Sequence, residues 1–170
     1  MSEQSLPVKF EQAVELAIPA FDDRPVITLN FSSVKEGEKR LVEARVVNPV
    51  TYSDLEHSFN EGYREARANL SVIGYEITQA DRIFRRIKSE LILDEYPAFL
   101  KAKDMKDNAT VRDAFLEKSQ AYVDAQERIN MLKAMESLMD GKIKVFENVC
   151  RYMRKEMDIL IRSGINSNKY

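Results

Sequence analysis

The sequence predicts a mainly α-helical protein: a long antiparallel helical hairpin of coiled-coil type, preceded by a small N-terminal β-hairpin segment. Four of the five prolines lie before residue 51, whereas the rest of the chain carries apolar residues in steps of three and four. Five Gly and five Pro in 170 residues are too few for a turn-rich all-β protein. We therefore expect a β-rich segment (1–51), a helical hairpin (52–163) and a flexible tail (164–170).

The N-terminal segment contains two β-like runs, at residues 25–34 and 41–47. Apolar and polar side chains alternate in both, and the polar stretch 35–39 between them has the length of a hairpin connection. These runs predict a β-hairpin, which must pack on something because two strands alone are marginally stable. Residues 8–18 fit either a short helix or a further strand.

The first long helix is predicted to begin at Ser53, an N-cap whose capping box is completed by Glu56. Its apolar seam consists of Phe59, Tyr63, Ala66, Leu70, Ile73, Ile77, Ala80, Phe84, Ile87 and Leu91. Gly62 falls outside this seam. Pro97 interrupts the helix, and a turn is expected over residues 104–109.

The second long helix is predicted to begin after Thr110 as N-cap and to hold one seam register from Val111 to Leu160. Lys118 and Glu136 are the polar residues within that seam. A buried carboxylate is costly unless it is paired, and polar seam residues often fix register or oligomeric state. We assign that structural role to Glu136.

Apolar residues outside the second seam predict an interface. The candidate interface residues are Met131, Met135, Leu138, Val145 and Val149. A monomeric helical hairpin would leave many of these side chains in water, and large exposed apolar patches usually mark contacts. The sequence therefore favours a homo-oligomer; the alternative is that the N-terminal β-segment covers this face.

Catalytic and metal-site chemistry finds little support in the sequence. His57 is the only histidine and Cys150 the only cysteine, and no nucleophile–base constellation or Gly-rich phosphate loop is visible. Cys150 is expected to act as a small buried hydrophobe. We expect no enzyme activity, no cofactor, no metal and no membrane span, and the N-terminus, which has no signal-peptide pattern, favours a cytoplasmic protein.

Basic clusters are the strongest indication of a ligand, although the net charge is only −2. The candidate nucleic-acid-binding residues are Arg85, Arg86, Lys101, Lys103, Lys106, Lys142, Lys144, Arg151, Arg154 and Lys155. Basic side chains beside aromatic residues suit single-stranded nucleic acid, because backbone charge and base stacking both contribute. The alternative is that these charges form the solvated face of long helices.

Three stretches of the helical part carry a family resemblance. The first helix contains EARANLSVIGYEITQADRIFRRIKSE and closes with the basic segment LKAK (100–103). A short polar break precedes residues 109–111, and the closing helix contains LKAMESLMDGKIKVFENVCRYMRKEM. In these features residues 65–157 resemble the UvsY recombination mediators of T-even-type phages.

The resemblance implies a small, ring-forming, non-catalytic protein that binds single-stranded DNA, loosens a single-strand-binding protein and helps a recombinase filament to nucleate. In that family the segment closing the first helix contributes to strand binding, which points here to Lys101 and Lys103. The chain departs from the family at Lys103, where the family has Arg, and at Asp104 and Met105, where it has aromatic residues. The alternative function is a structural or scaffolding coiled-coil protein of a virion or other assembly.

Overall fold

The structure, a computed structural model, describes residues 13–47 and 49–167, with side chains described up to residue 164. The elements are strands β1 (Glu15–Ile18) and β2 (Ile27–Asn30) and helices α1 (Ser32–Arg40), α2 (Pro49–Glu90), α3 (Tyr96–Lys103), α4 (Ala109–Leu116) and α5 (Gln120–Ser167). A 3₁₀ turn (Glu43–Arg45) precedes α2, and a π turn (Leu91–Glu95) joins α2 to α3. The predicted class, mainly α with two long helices and a small N-terminal β-hairpin, is confirmed.

The described residues fall into two compact units. The terminal unit comprises the residues up to Ser71 and from Ser137 onward, and the central unit comprises Val72–Glu136. Each unit contains part of α2 and part of α5 running antiparallel. In the terminal unit Glu56 pairs with Arg154 and Arg67 with Glu147.

The β-hairpin has a different second strand from the one predicted. β2 lies within the predicted run 25–34, but it pairs antiparallel with β1, in the register Leu16↔Leu29 and Ile18↔Ile27. The assignment of a strand to residues 41–47 is wrong, because this segment forms the 3₁₀ turn. Residues 8–12 of the segment that fitted either a helix or a strand lie outside the described residues.

The predicted connection 35–39 is instead part of α1, which buries Val34 and Gly37. Its first turn is held by α2, because the Glu65 carboxylate accepts a hydrogen bond of 2.9 Å from the Val34 N–H. An acidic group is favourable at the N-terminus of a helix, where backbone N–H groups lack partners inside the helix. Four residues on, the Asn69 side-chain amide donates a 2.6 Å hydrogen bond to the Asn30 carbonyl at the end of β2.

α2 begins at Pro49, so the N-cap assigned to Ser53 is wrong. Proline is favoured in the first turn of a helix because the backbone N–H that it lacks would have no acceptor within the helix there. The interruption expected at Pro97 takes the form of the π turn, after which Pro97 lies in the first turn of α3. α4 is capped by Asn108 rather than Thr110, and the Asn108 Oδ1 accepts from the Val111 N–H at 2.9 Å.

The buried face of α2 is rotated by about one residue from the predicted seam. Phe59, Ala66, Ile73 and Ala80 are buried as predicted. The other residues buried on this face are Gly62, Asn69, Glu76 and Ile83, whereas Tyr63, Leu70, Ile77 and Phe84 are only half-buried. A buried glycine, amide and carboxylate are invisible to a pattern of apolar residues, which explains the shift.

α5 does not carry one uninterrupted seam. Its register begins after a break at residues 117–119, so Lys118 is not a seam residue, and Glu136 is exposed while Met135 is buried in its place. The buried residues of α5 are Ala125, Arg128, Ile129, Leu132, Met135, Met139, Ile143, Phe146, Cys150 and Met153. The buried residues Met135, Met139 and Ile143 follow one another in two successive steps of four. In a coiled coil, such an interruption of the alternating steps of three and four locally unwinds the supercoil. The placement of Glu136 in the buried seam is therefore wrong.

Candidate nucleic-acid interface

The α3–α4 turn (residues 104–108) of the central unit presents the first group of predicted basic residues. α3 ends because Asp104 adopts a left-handed conformation (φ 49°, ψ 43°), which lets the Met105 N–H donate to the Leu100 carbonyl at 3.1 Å. Asn108 then caps α4. The turn is thus closed at both ends by hydrogen bonds to its own backbone.

Asp107 fastens this turn to the helices on either side. Its carboxylate accepts two hydrogen bonds from the Arg112 guanidinium, at 2.9 and 2.8 Å, and one of 3.0 Å from the Tyr96 hydroxyl. Burial of the phenol, reinforced by the hydrogen bond to Asp107, raises the pKa of Tyr96 above its usual value. The Tyr96, Phe99 and Phe115 rings pack beneath the turn, with centroids 5.1 to 6.2 Å apart.

Lys101, Lys103 and Lys106 lie on the outside of this fastened segment. Every residue from 101 to 110 is exposed. Within the ranges that the structure describes, the three ammonium groups make no ion pair or hydrogen bond. They are therefore available to phosphate groups without first breaking an internal contact.

A groove that sequence reasoning missed adjoins these lysines, and we call it the lysine groove. It has a volume of about 290 Å³ and is lined by Phe99, Lys103, Met105, Thr110, Val111, Ala114 and Lys118. The Lys118 ammonium lies 5.9 Å from the centroid of the Phe99 ring. Lys118 was assigned to a buried seam, and only the helix break at residues 117–119 shows that it faces solvent.

Arg85 and Arg86, on α2 of the central unit, differ in their surroundings. Both are exposed, and Arg86 forms an ion pair of 3.9 Å with Glu90 one turn further along the helix. In the described part of the chain, the Arg85 guanidinium has no hydrogen bond or ion pair. Of this cluster, Arg85 is thus the side chain left for a ligand.

The five basic candidates of the terminal unit are mostly engaged within the protein. Lys142 pairs with Glu38, Lys144 with Asp140, and Arg154 with Glu56. The hydrogen bond that Lys144 donates to Asp140 raises the pKa of Lys144, and the hydrogen bond that Arg154 donates to Glu56 raises the pKa of Arg154. The remaining two candidates, Arg151 and Lys155, are exposed and lack such partners among the described residues.

Cys150 lines a cavity of about 340 Å³ in the terminal unit, together with Asn60, Tyr63, Phe146, Glu147, Arg151 and Arg154. Burial raises the pKa of the Cys150 thiol, which favours the protonated form near neutral pH. In the chain as described, no group of three or more His, Cys, Asp or Glu residues is placed to hold a metal ion. Over the same residues, no helix is sufficiently long and apolar to cross a membrane.

The five candidate interface residues do not share one environment. Met135 is a core residue, only 2% exposed, so its assignment to an exposed face is wrong. Met131, Leu138 and Val149 are half-buried, and Val145 is 42% exposed. Further along α5, Ile159 and Ile161 are more exposed, at 50% and 53%, and Leu160 between them is 40% exposed.

No protein-family model, curated protein or solved structure matches this chain.

Proposed function

We propose that this protein binds single-stranded DNA without catalysing a reaction, and that it acts as an oligomeric recombination mediator. The observation that carries the proposal is the trio Lys101, Lys103 and Lys106, exposed and unpaired at the end of α3 and on the adjoining turn, which Asp107 fastens to both neighbouring helices. Because Asp107 holds the turn in place and the lysines have no internal ion pair, contact with phosphates neither orders the backbone of the turn nor breaks an existing contact.

Self-association would raise the affinity of a surface that binds a strand only weakly in one protomer. Three lysines on one protomer give modest affinity, but linked copies on one strand add by avidity. The exposed apolar residues Val145, Ile159, Leu160 and Ile161 support self-association, because such residues on a helix usually mark a contact. The mediator role itself rests on the resemblance to the UvsY family, which also places the protein in the cytoplasm of a phage's host.

The test of strand binding is fluorescence anisotropy of a labelled oligo-dT at several salt concentrations. Lys101→Ala/Lys103→Ala should weaken binding at least tenfold and reduce the salt slope by about 1.4, since each phosphate contact on a single strand contributes about 0.7. The matched control, Lys39→Ala/Lys133→Ala, removes two exposed lysines elsewhere and should leave affinity within about twofold.

Light scattering after size exclusion, on the same samples, reports the assembly state. A well-assembled wild-type protein that does not bind oligo-dT at low salt would refute the proposal and favour the scaffolding alternative. Equal affinity of Lys101→Ala/Lys103→Ala and wild type would refute the assignment of the binding surface.

The mediator role has a separate readout. Strand-dependent ATPase activity of a recombinase, measured on DNA coated with a single-strand-binding protein, should rise when wild-type protein is added. Lys101→Ala/Lys103→Ala should fail to stimulate it, whereas the control variant should stimulate it fully. If the protein binds single strands but does not stimulate the ATPase activity, it is not a mediator.

A further inference from the structure

The lysine groove combines an aromatic wall with cationic rims. Phe99 is half-buried: its ring packs against Phe115 and Tyr96, and the groove is open beside it. Lys103 and Lys118 line the groove, and among the described residues that line it none is acidic. Its remaining walls are the side chains of Met105, Thr110, Val111 and Ala114.

This chemistry matches one occupant. An apolar slot with an aromatic ring in its wall and two cations beside it, one of them the exposed Lys118 side chain over that ring, fits a planar base flanked by phosphates. A purely apolar side chain would leave both ammonium groups without a counter-charge, and a bare anion would leave Phe99 and Val111 without a partner. The charges and the apolar wall of the groove therefore favour a nucleotide unit over an apolar side chain or a bare anion.

The groove is also continuous with the proposed strand-binding surface. Lys103 belongs to both; Lys101 lies in the last turn of α3, and Lys106 lies in the α3–α4 turn. A strand that contacts these lysines passes the open side of the groove, within reach of an unstacked base.

We propose that the lysine groove takes one unstacked base of a single DNA strand beside Phe99, with Lys103 and Lys118 contacting the neighbouring phosphates. The inference rests on the proposed single-strand binding and adds base stacking, and the contact of Lys118, to it. Because stacking is tolerant of sequence, every base has a surface that can occupy the groove.

The first test compares oligo-dT with an abasic strand that has the same phosphates and no bases. Wild type should bind oligo-dT about tenfold more tightly, as expected for one stacked base. Ala114→Leu, which fills the groove from an exposed helical position, should remove this preference and leave binding to the abasic strand unchanged. The matched control is Ala134→Leu, the same change at an exposed position of α5, and it should retain the preference.

The second test uses the absence of tryptophan from the chain. Met105→Trp introduces a single indole at a groove residue that is 46% exposed. Its fluorescence should be quenched by oligo-dT and not by the abasic strand. The indole of Val14→Trp, at a terminal-unit position that is 52% exposed and outside the proposed self-association surface, should respond equally to the two strands.

Three outcomes would overturn the inference. Equal affinity of wild type for oligo-dT and the abasic strand means that only the backbone is bound, and the proposed function then survives without the groove. A preference that persists in Ala114→Leu means that bases bind elsewhere. A Met105→Trp signal that changes with protein concentration in the absence of DNA means that a second copy of the chain occupies the groove.

Discussion

Gly62 lies so close to Phe146 that a methyl group on the glycine would come within 2.8 Å of the ring's Cζ atom. The same methyl group would lie 3.0 Å from the Ser33 carbonyl oxygen, so α2, α1 and α5 meet at this glycine. The close approach explains why a residue that disfavours helices lies inside a helix of 42 residues.

Gly62→Ala should therefore lower the free energy of unfolding by about 1–3 kcal/mol, because overpacking outweighs the gain in helix propensity. Gly74→Ala, in the same helix, is the matched control, since nothing lies within 4 Å of the added methyl group. It should raise stability by up to about 1 kcal/mol. Urea denaturation followed by circular dichroism measures both, and stabilisation of both variants would contradict the close contact.

Gly62 also shows where sequence reasoning reached its limit. Steps of three and four predict the two long helices and the burial of Phe59 and Ile73, because these depend on local periodicity. The burial of Asn69 depends on the Asn30 carbonyl, a partner 39 residues away along the chain. The periodicity of apolar residues carries no information about partners so distant along the chain. The seam predicted from it is therefore one residue away from the buried face of α2.

In the candidate site, too, features that depend on local sequence could be predicted, whereas features that depend on tertiary contacts could not. The exposure of Lys101, Lys103 and Lys106 follows from a polar run between helices; that they bind DNA remains a prediction. The lysine groove could not be predicted, because Lys118 reaches Phe99 only through the break between α4 and α5. The missed β1–β2 pairing is equally a matter of tertiary context, since the run 41–47 is as β-like as the run that became β2.

A buried ion pair in the central unit provides the second prediction. Glu76 and Arg128 are 1% and 6% exposed, and Arg128 Nη2 lies 3.9 Å from Glu76 Oε2. Arg128→Met should cost about 3–5 kcal/mol, because it removes the cation facing a buried carboxylate. Glu76→Leu/Arg128→Met should recover most of that loss, since an apolar pair of similar volume needs no desolvation of charge. Purely additive effects in urea denaturation would mean that the two residues are not coupled.

The left-handed residue that ends α3 provides the third prediction. An L-residue pays roughly 1–2 kcal/mol in this conformation, a cost that glycine avoids. Asp104→Gly should accordingly stabilise the protein by about 0.5–1 kcal/mol. Asp104→Ala is the control, because it removes the same negative charge from the helix C-terminus but retains the backbone cost. Equal effects of the two variants on the thermal midpoint would assign the gain to charge instead.

The Tyr96 phenol, hydrogen-bonded beneath the α3–α4 turn, makes the free energy of unfolding depend on pH in the alkaline range. Burial and the contact with Asp107 raise the pKa of Tyr96, so the folded protein holds this proton more tightly than the unfolded chain does. The resulting stabilisation is fully present below the unfolded value of about 10 and is lost as the pH rises through the folded pKa. Between pH 7 and about pH 11, wild type should therefore lose more stability than Tyr96→Phe, which has no hydroxyl to ionise.

The measurement is the urea midpoint at the two pH values. The matched control is Tyr152→Phe, because Tyr152 is 43% exposed and lies outside the aromatic cluster. Burial also raises the pKa of Tyr52, so the absorbance of ionised tyrosine near 295 nm should show late-titrating phenols in the folded state, one of which disappears in Tyr96→Phe. If wild type and Tyr96→Phe lose the same stability on alkalinisation, the Asp107 contact does not hold the proton, and the turn that presents the three lysines is fastened by Arg112 alone.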